Sequence, residues 1–382
     1  MVLSDVELIL IAGGGIIGCS IAYYLTQHPK YSLQSYRIVL LEACDIASAA
    51  SGKSGGFVGA WATPSCLAQL SYDLHKKLAD KYDGRSKWGY RACSGWNTTW
   101  SASTTGRLQE SDADERSNSE HSQSPPGVDW LRPSVVEKFE LLGKPSESAQ
   151  INPRIFTREL ASIAQWNGVE VIYGKANSLK YTTNGRQIDA VEYSSADGLK
   201  TLKVDDLVLA AGPWTTKLLP ALKLGAPRSH SIVVSCPNEM NGNVIFPIED
   251  QENSTTVTFP EIYPRPPDSQ HSFPTVYTCG PDDYDDELPE TSAETAVLTD
   301  KVEALAEALH NVSGLVSQPE LILAKQACHK PQLAKHGEGE EVGPAVGPVD
   351  GIEGLWVATG HDEWGKSKQS HVSELWWLIV PQ

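Results

Sequence analysis

Residues 6–18 read VELILIAGGGIIG and continue as CSIAYYLTQ over residues 19–27. Apolar residues fill nearly every position from Val6 to Ala12, a short run that predicts a strand buried on both faces. Ile16 to Gln27 reads as a helix, and Tyr36 to Leu41 as a second strand rich in Ile, Val and Leu. Strand, turn, helix and strand in that order make a βαβ beginning. Gly13, Gly15 and Gly18 fall in the turn with G-x-G-x-x-G spacing, and Glu42 with Ala43 closes the second strand. The first glycine permits the tight turn, the second lets backbone approach a pyrophosphate, and the third allows close packing of helix on strand. Ile16 and Ile17 then present helix N-terminal N–H groups to the phosphates. Glu42 can accept hydrogen bonds from ribose hydroxyls, and its charge disfavours a 2'-phosphate, so FAD or NAD fits better than NADP.

The rest of the composition narrows the class. The chain has 382 residues and a formal net charge of -17, enough length for two domains and the wrong sign for phosphate backbones, so no nucleic-acid partner is expected. Seven cysteines, Cys19, Cys44, Cys66, Cys93, Cys236, Cys279 and Cys328, are scattered without a CxxC pair. They read as reduced thiols with no metal site. The N-terminus lacks the features of a secretory signal, and no apolar run reaches the roughly 18–20 residues of a membrane span, so the expectation is a cytoplasmic protein.

Further along, Leu67 to Lys81 and Ile155 to Gln165 have helical spacing. Val169 to Tyr173, Ala176 to Tyr181, Ile188 to Tyr193, Asp206 to Ala211 and Gly354 to Thr359 read as strands. Residues 101–128, dense in Ser, Asp and Glu with a Pro-Pro pair, read as an exposed, mobile insertion. From about Arg228 to Gln326 the chain turns to short strands, prolines and an acidic loop, with one amphipathic helix at Glu294 to His310. That change of character predicts a second domain inserted into the first.

What separates FAD from NAD is the stretch ASAASGKSGGFVG over residues 47–59. Ser51, Gly52, Lys53, Ser54, Gly55 and Gly56 would let backbone pass close to a bulky ligand. Here the chain resembles the superfamily of D-amino-acid oxidase, glycine oxidase and sarcosine oxidase, whose Ser/Gly-rich segment runs beside the FAD pyrophosphate and flavin. The resemblance continues through NPRIFTRELASIAQWNGVEVIYG at residues 152–174, where Val171 would make the adenine-side contact. It reaches LVLAAGPWT at 207–215, where Ala211, Gly212 and Trp214 would approach the cofactor, and the strand end at Gly360 and His361. SYDLHKKLADKYDG, KWGYR and AKQACHKP are similar to a fungal-type subgroup of uncharacterised members.

The resemblance implies an α/β protein with a discontinuous Rossmann-like FAD-binding domain (1–84, 146–227 and 327–382) and an inserted α+β substrate domain (85–145 and 228–326). It implies hydride transfer from an amine or N-modified amino acid to FAD, with oxygen or another electron acceptor reoxidising the flavin. Cys328 stands where some members join FAD covalently; that link is open here, and non-covalent binding is the expectation. Arg91 and Lys325 are candidate clamps for a substrate carboxylate, with Lys330 beside them, and His361 is the candidate catalytic residue nearest the flavin. After GHDEWG (360–365) the family pattern stops, and the final 17 residues, KSKQSHVSELWWLIVPQ, read as a non-homologous ending of the kind a retained intron produces. Two rival readings stay open: an NAD-dependent dehydrogenase, and an inactive flavoprotein with an altered C-terminus.

Overall fold

The computed structural model describes residues 6–62, 65–100, 124–236, 240–247, 260–284, 287–315, 319–333 and 343–362. Most of the expected insertion at 101–128 and the whole 17-residue ending lie outside the described residues.

The opening stretch forms β1 (Glu7–Ala12), α1 (Ile16–Thr26) and β2 (Tyr36–Glu42). In a six-stranded sheet β1 lies between β2 and the Asp206–Leu209 strand, parallel to both. The Glu170–Tyr173 strand flanks β2, and the Leu355–Thr359 strand flanks Asp206–Leu209. Only Ala345–Pro348, at the edge, runs antiparallel. Successive side chains of a strand point to opposite faces, and here both faces are covered. Ile9, Ile11, Ile38 and Leu40 pack against α1 and the Pro153–Trp166 helix on one side. Leu10, Ala12, Val39 and Leu41 pack on the other against the three-stranded meander of Lys175–Tyr181, Ile188–Ser195 and Gly198–Lys203. That two-sided burial explains the unbroken apolar run.

The Pro153–Trp166 helix begins two residues before the sequence expectation because Asn152 caps it, its side chain accepting from the Ile155 N–H, with Pro153 at the first position. The second large sheet has seven strands in the order Ile322–His329, Arg228–Ser235, Thr275–Asp283, Glu261–Arg265, Val244–Pro247, Gly95–Trp100 and Val136–Gly143. Ile232, Val234, Ile245, Ile262 and Val276 cover one face with Val302, Leu305, Leu309 and Val312 of the Thr299–Ser313 helix. This helix starts later than expected: Ser292–Glu294 forms a separate 3-10 turn, and the Leu298 N–H donates to His230 Nε2 at 3.1 Å. Its end is set by Gly314 at φ 70, a left-handed cap. The opposite face of the sheet looks toward the end of β1 and forms a roof over it. No disulfide joins the six described cysteines.

At the far end of β1, Glu7 lies against Asp206. Burial, then the Asp206 charge, a hydrogen bond to it and the Asp205 charge push the Glu7 carboxyl up from 4.5 to about 7. Between those values the folded chain holds a proton that the unfolded chain has released, so stability falls as pH rises through that window. Glu7→Gln removes the loss. The expected result, after discounting for solvent screening, is a gain of about 1 kcal/mol, or about 2 °C in melting temperature, at pH 8. Much less should appear at pH 5, and an equal gain at both would refute this assignment.

Candidate cofactor and substrate site

A cavity of about 1380 Å³ lies between the carboxyl ends of the parallel strands and the roof sheet. The strand order doubles back at β1, which is where open α/β sheets leave a crevice for a ligand. Gly13 makes the turn at φ +118, and an added Cβ would stand 2.4 Å from the Ala210 carbonyl oxygen. Gly15 is the residue ahead of α1, and its Cβ would meet Ser51 Oγ at 3.1 Å. Ser51 Oγ accepts from the Ile16 N–H at 2.9 Å, so a hydroxyl oxygen already occupies the anion-seeking end of the helix.

Glu42 is 9% exposed. Its carboxylate accepts from the Gly14 N–H at 2.6 Å and the Cys44 N–H at 2.9 Å. Burial raises its pKa, and those two backbone donors oppose the rise. Each carboxylate oxygen has a second lone pair for a ribose hydroxyl. These features fit an adenine dinucleotide: a cradle that a Cβ would fill, a helix end carrying N–H donors, and an acid at ribose range. Glu42→Ala removes a charge-assisted acceptor worth about 1.5–3 kcal/mol. Its expected effect is a 10- to 100-fold rise in the FAD Kd, measured by titrating apoprotein with the flavin. An unchanged Kd would exclude Glu42 as a cofactor contact.

The Ser/Gly segment forms the next wall. Ser51, Lys53, Ser54, Gly55 and Gly56 line the cavity. Gly52 lies behind it, where a Cβ would stand 2.0 Å from the Ala47 carbonyl oxygen, and Gly56 turns at φ +95 against the Ile151 carbonyl. Two roof residues fasten this segment. Arg265, a buried residue, donates from one terminal nitrogen to the Ser54 and Gly55 carbonyls at 2.7 and 3.1 Å. The Tyr277 hydroxyl donates to the Lys53 carbonyl at 2.9 Å, and the Arg265 guanidinium stacks 4.7 Å from the Tyr277 ring. Lys53 donates to the Ala327 carbonyl at 3.0 Å, and burial lowers its pKa.

The expected residues divide clearly. Gly13, Gly15, Ile16, Ile17, Glu42, Ala43, Ala211, Gly212, Trp214, Cys328 and His361 all line this one cavity. Gly18 and Gly360 act beneath the lining: Gly18 packs against the Gly13 carbonyl, and Gly360, at φ +79, turns the chain between Thr359 and His361. Val171 instead packs with the core under the Pro153–Trp166 helix; Gly174 to Asn177, a few residues on, supply the lining. Lys325 points to solvent from the outer part of its strand, because the inward positions there are Ala327 to His329. Arg91 is held by Gln150, at 3.2 and 3.3 Å, and by the Met240 and Pro264 carbonyls, outside the lining.

The sequence reading did not identify Glu261, Tyr263, Tyr277 and Cys279 of the roof, nor Glu290, Thr291 and Ser292 of the bend that leads into the 3-10 turn. Glu290 is gripped by Lys175 at 2.8 Å and Lys217 at 2.6 Å, which hold its carboxyl at about 2. Residues 261–265 and 275–279, EIYPR and TVYTC, lack a clear polar–apolar alternation, so nothing local says which side chains meet a ligand.

This arrangement defines a dinucleotide-binding protein whose cofactor cradle is roofed by a separate antiparallel sheet. The pattern of the FAD dependent oxidoreductase family matches residues 9–368, and the chain belongs to that family. It is similar to the oxidoreductase C1F5.03c of Schizosaccharomyces pombe, 34% identical over 379 residues, covering 95% of this chain and 91% of the relative. Its fold is similar to that of glycine oxidase from Bacillus cereus, with TM-score 0.69, 18% identity and coverage of 97% and 94% of the two chains. It is likewise similar to L-alpha-glycerophosphate oxidase from Mycoplasma pneumoniae with FAD bound, with TM-score 0.67, 15% identity and coverage of 99% and 96%. Among the described residues no helix is long and apolar enough to cross a membrane, and no cluster of metal-binding side chains occurs.

Proposed function

We propose that the protein is a cytosolic enzyme that oxidises the carbon–nitrogen bond of a small amine, with FAD as acceptor and oxygen or another acceptor regenerating it. Bound FAD would supply the hydride acceptor for the carbon bearing the amine, and the resulting imine would be hydrolysed by water. Such chemistry asks the protein chiefly for position and for exclusion of water. The turn at Gly13 and Gly15, the Ile17 N–H, the Ser51 hydroxyl that already accepts from the Ile16 N–H, and Glu42 would hold the dinucleotide. Ser54 to Gly56 would run beside the flavin, and His361, 2% exposed at the end of its strand, would face the substrate side. Cys328 is 5% exposed within the same lining. We assign it a packing role with the flavin held non-covalently, so fluorescence should leave the protein band on a denaturing gel, and a fluorescent band would reverse that assignment.

The observation that carries the reading is continuity: one cavity runs from the phosphate-binding turn to the aromatic roof, with room for cofactor and substrate together. An anaerobic screen of amines and amino acids for bleaching of the bound flavin tests it. Bleaching by at least one amine is expected, and a yellow protein that none of them bleaches would favour an inactive flavoprotein.

A further inference from the structure

We infer, resting on the FAD-binding reading above, that residues 288–294 form a clasp over the nucleotide end of the cavity, and that FAD enters and leaves only when Glu290 lets go of Lys175 and Lys217. The clasp leaves the roof after the Thr275–Asp283 strand and rejoins it at the Thr299–Ser313 helix. Its anchors nevertheless belong to the cradle. The Trp214 indole N–H donates to the Pro289 carbonyl at 2.8 Å. Lys175 and Lys217 take one oxygen each of the Glu290 carboxylate, at 2.8 and 2.6 Å. The Ser292 and Ser48 hydroxyls meet at 2.7 Å. Apart from Pro289, all of these residues line the cavity.

Sheet order sets where the anchors stand. Trp214 and Lys217 follow the Asp206–Leu209 strand, Lys175 follows the Glu170–Tyr173 strand, and Ser48 follows β2. Across the sheet the order runs Asp206–Leu209, β1, β2 and Glu170–Tyr173. The clasp therefore spans the ends of β1 and β2, which carry the glycine turn and Glu42, and it stands across the way into the nucleotide cradle.

The way it is held makes it a moving part. Among the described residues, 288–298 join no sheet. Its short 3-10 turn is closed from within, by the Glu294 N–H donating to the Thr291 carbonyl at 3.2 Å and the Thr291 hydroxyl donating to the Glu294 carboxylate at 2.9 Å. The turn can thus shift as one piece while a few side-chain contacts part, and segments held in that way open at far less cost than global unfolding. The Glu290 side chain is 61% exposed and its two lysines about a third, so salt reaches the ion pairs and weakens them. Hydrogen bonds from those ammoniums, and then their charge, keep the Glu290 carboxyl at about 2. It stays charged through the neutral and mildly acid range, which makes the clasp sensitive to salt and not to mild acid.

The test follows FAD release from holoprotein after dilution, read as the rise in free-flavin fluorescence. Glu290→Gln is expected to release FAD about three- to tenfold faster than wild type. Raising ionic strength from about 0.05 to about 0.5 M is expected to speed wild type by a similar factor and the variant less. A double variant, Ser48→Cys with Ser292→Cys, works in the opposite sense, since the two hydroxyls already touch and a disulfide there would lock the clasp shut. Once oxidised, with the bridge verified by mass, it is expected to release FAD about tenfold or more slowly, and a reductant should restore the original rate. Release as fast from the bridged form as from the reduced form overturns the inference, and so does Glu290→Gln that releases FAD no faster than wild type. If the cysteines do not bridge, the Glu290→Gln rate decides alone. Wild-type protein that binds no FAD removes instead the cofactor reading on which the clasp rests.

Discussion

Gly18→Ala is expected to purify without bound FAD, to raise the FAD Kd by about 100-fold, and to unfold below wild type. The new methyl would stand 1.9 Å from the Gly13 carbonyl oxygen and 3.3 Å from Ile11 Cγ2. A backbone carbonyl cannot swing aside as a side-chain tip can, so either α1 withdraws from β1 or the turn distorts. Helix propensity alone argues for the opposite sign, since alanine inside a helix is favoured over glycine by about 0.8–1 kcal/mol. Overpacking costs about 1–3 kcal/mol, occasionally more, and a 1.9 Å approach to backbone belongs at the upper end. The net expectation is a loss of about 2 kcal/mol. Binding suffers more than folding, because the same turn positions Gly15, the Ile17 N–H and the Ser51 hydroxyl held by the Ile16 N–H, and a displacement of about 1 Å can cost 100-fold where geometry matters. Denaturant unfolding and flavin titration of the variant check both halves; a stabilised variant with normal flavin content would refute the packing argument.

The second large effect is expected at Arg265, which ties roof to cradle across about two hundred residues of chain. Arg265→Ala leaves the Ser54 and Gly55 carbonyls without their shared donor, at about 1–3 kcal/mol for each buried acceptor left unmet. It also deletes the stacked cation on Tyr277, worth about 1–2 kcal/mol when desolvated. The expected loss is about 3–5 kcal/mol, accompanied by release of FAD as the Ser/Gly segment loosens. Arg265→Lys keeps the charge but offers a compact ammonium where a planar fork fits, so less than half the loss should be recovered. Full recovery by lysine would show that charge alone, and not the forked contact, fastens the segment.

The parts legible in the sequence are those whose cause is local. The β1 run betrays its two-sided burial, the glycine spacing betrays the turn, and Glu42 follows at the distance a βαβ unit dictates. The Pro153–Trp166 helix also carried a local start signal, Asn152 as cap and Pro153 as first residue, which the expectation of a start at Ile155 passed over. Lys325 and Arg91 show the limit. Both are cations in suggestive stretches, yet a one-residue change of strand phase sends Lys325 to solvent, and Arg91 is claimed by Gln150 and two carbonyls, those of Met240 and Pro264, well over a hundred residues away. Val171 stands a few residues short: its half-buried strand ends before the backbone reaches the cavity at Gly174 to Asn177. Arg265 and Tyr277 were invisible because they acquire a role only when the second sheet closes over the first.

The central claim, oxidation of a carbon–nitrogen bond on FAD held between cradle and roof, is tested most directly by stoichiometry in a single anaerobic turnover. Holoprotein mixed with an excess of a primary amine or amino acid that bleaches it should lose its oxidised-flavin absorbance and release one ammonia and one carbonyl product for each flavin reduced. Retained absorbance with every amine and amino acid tried, from protein that carries a full complement of FAD, would contradict the claim.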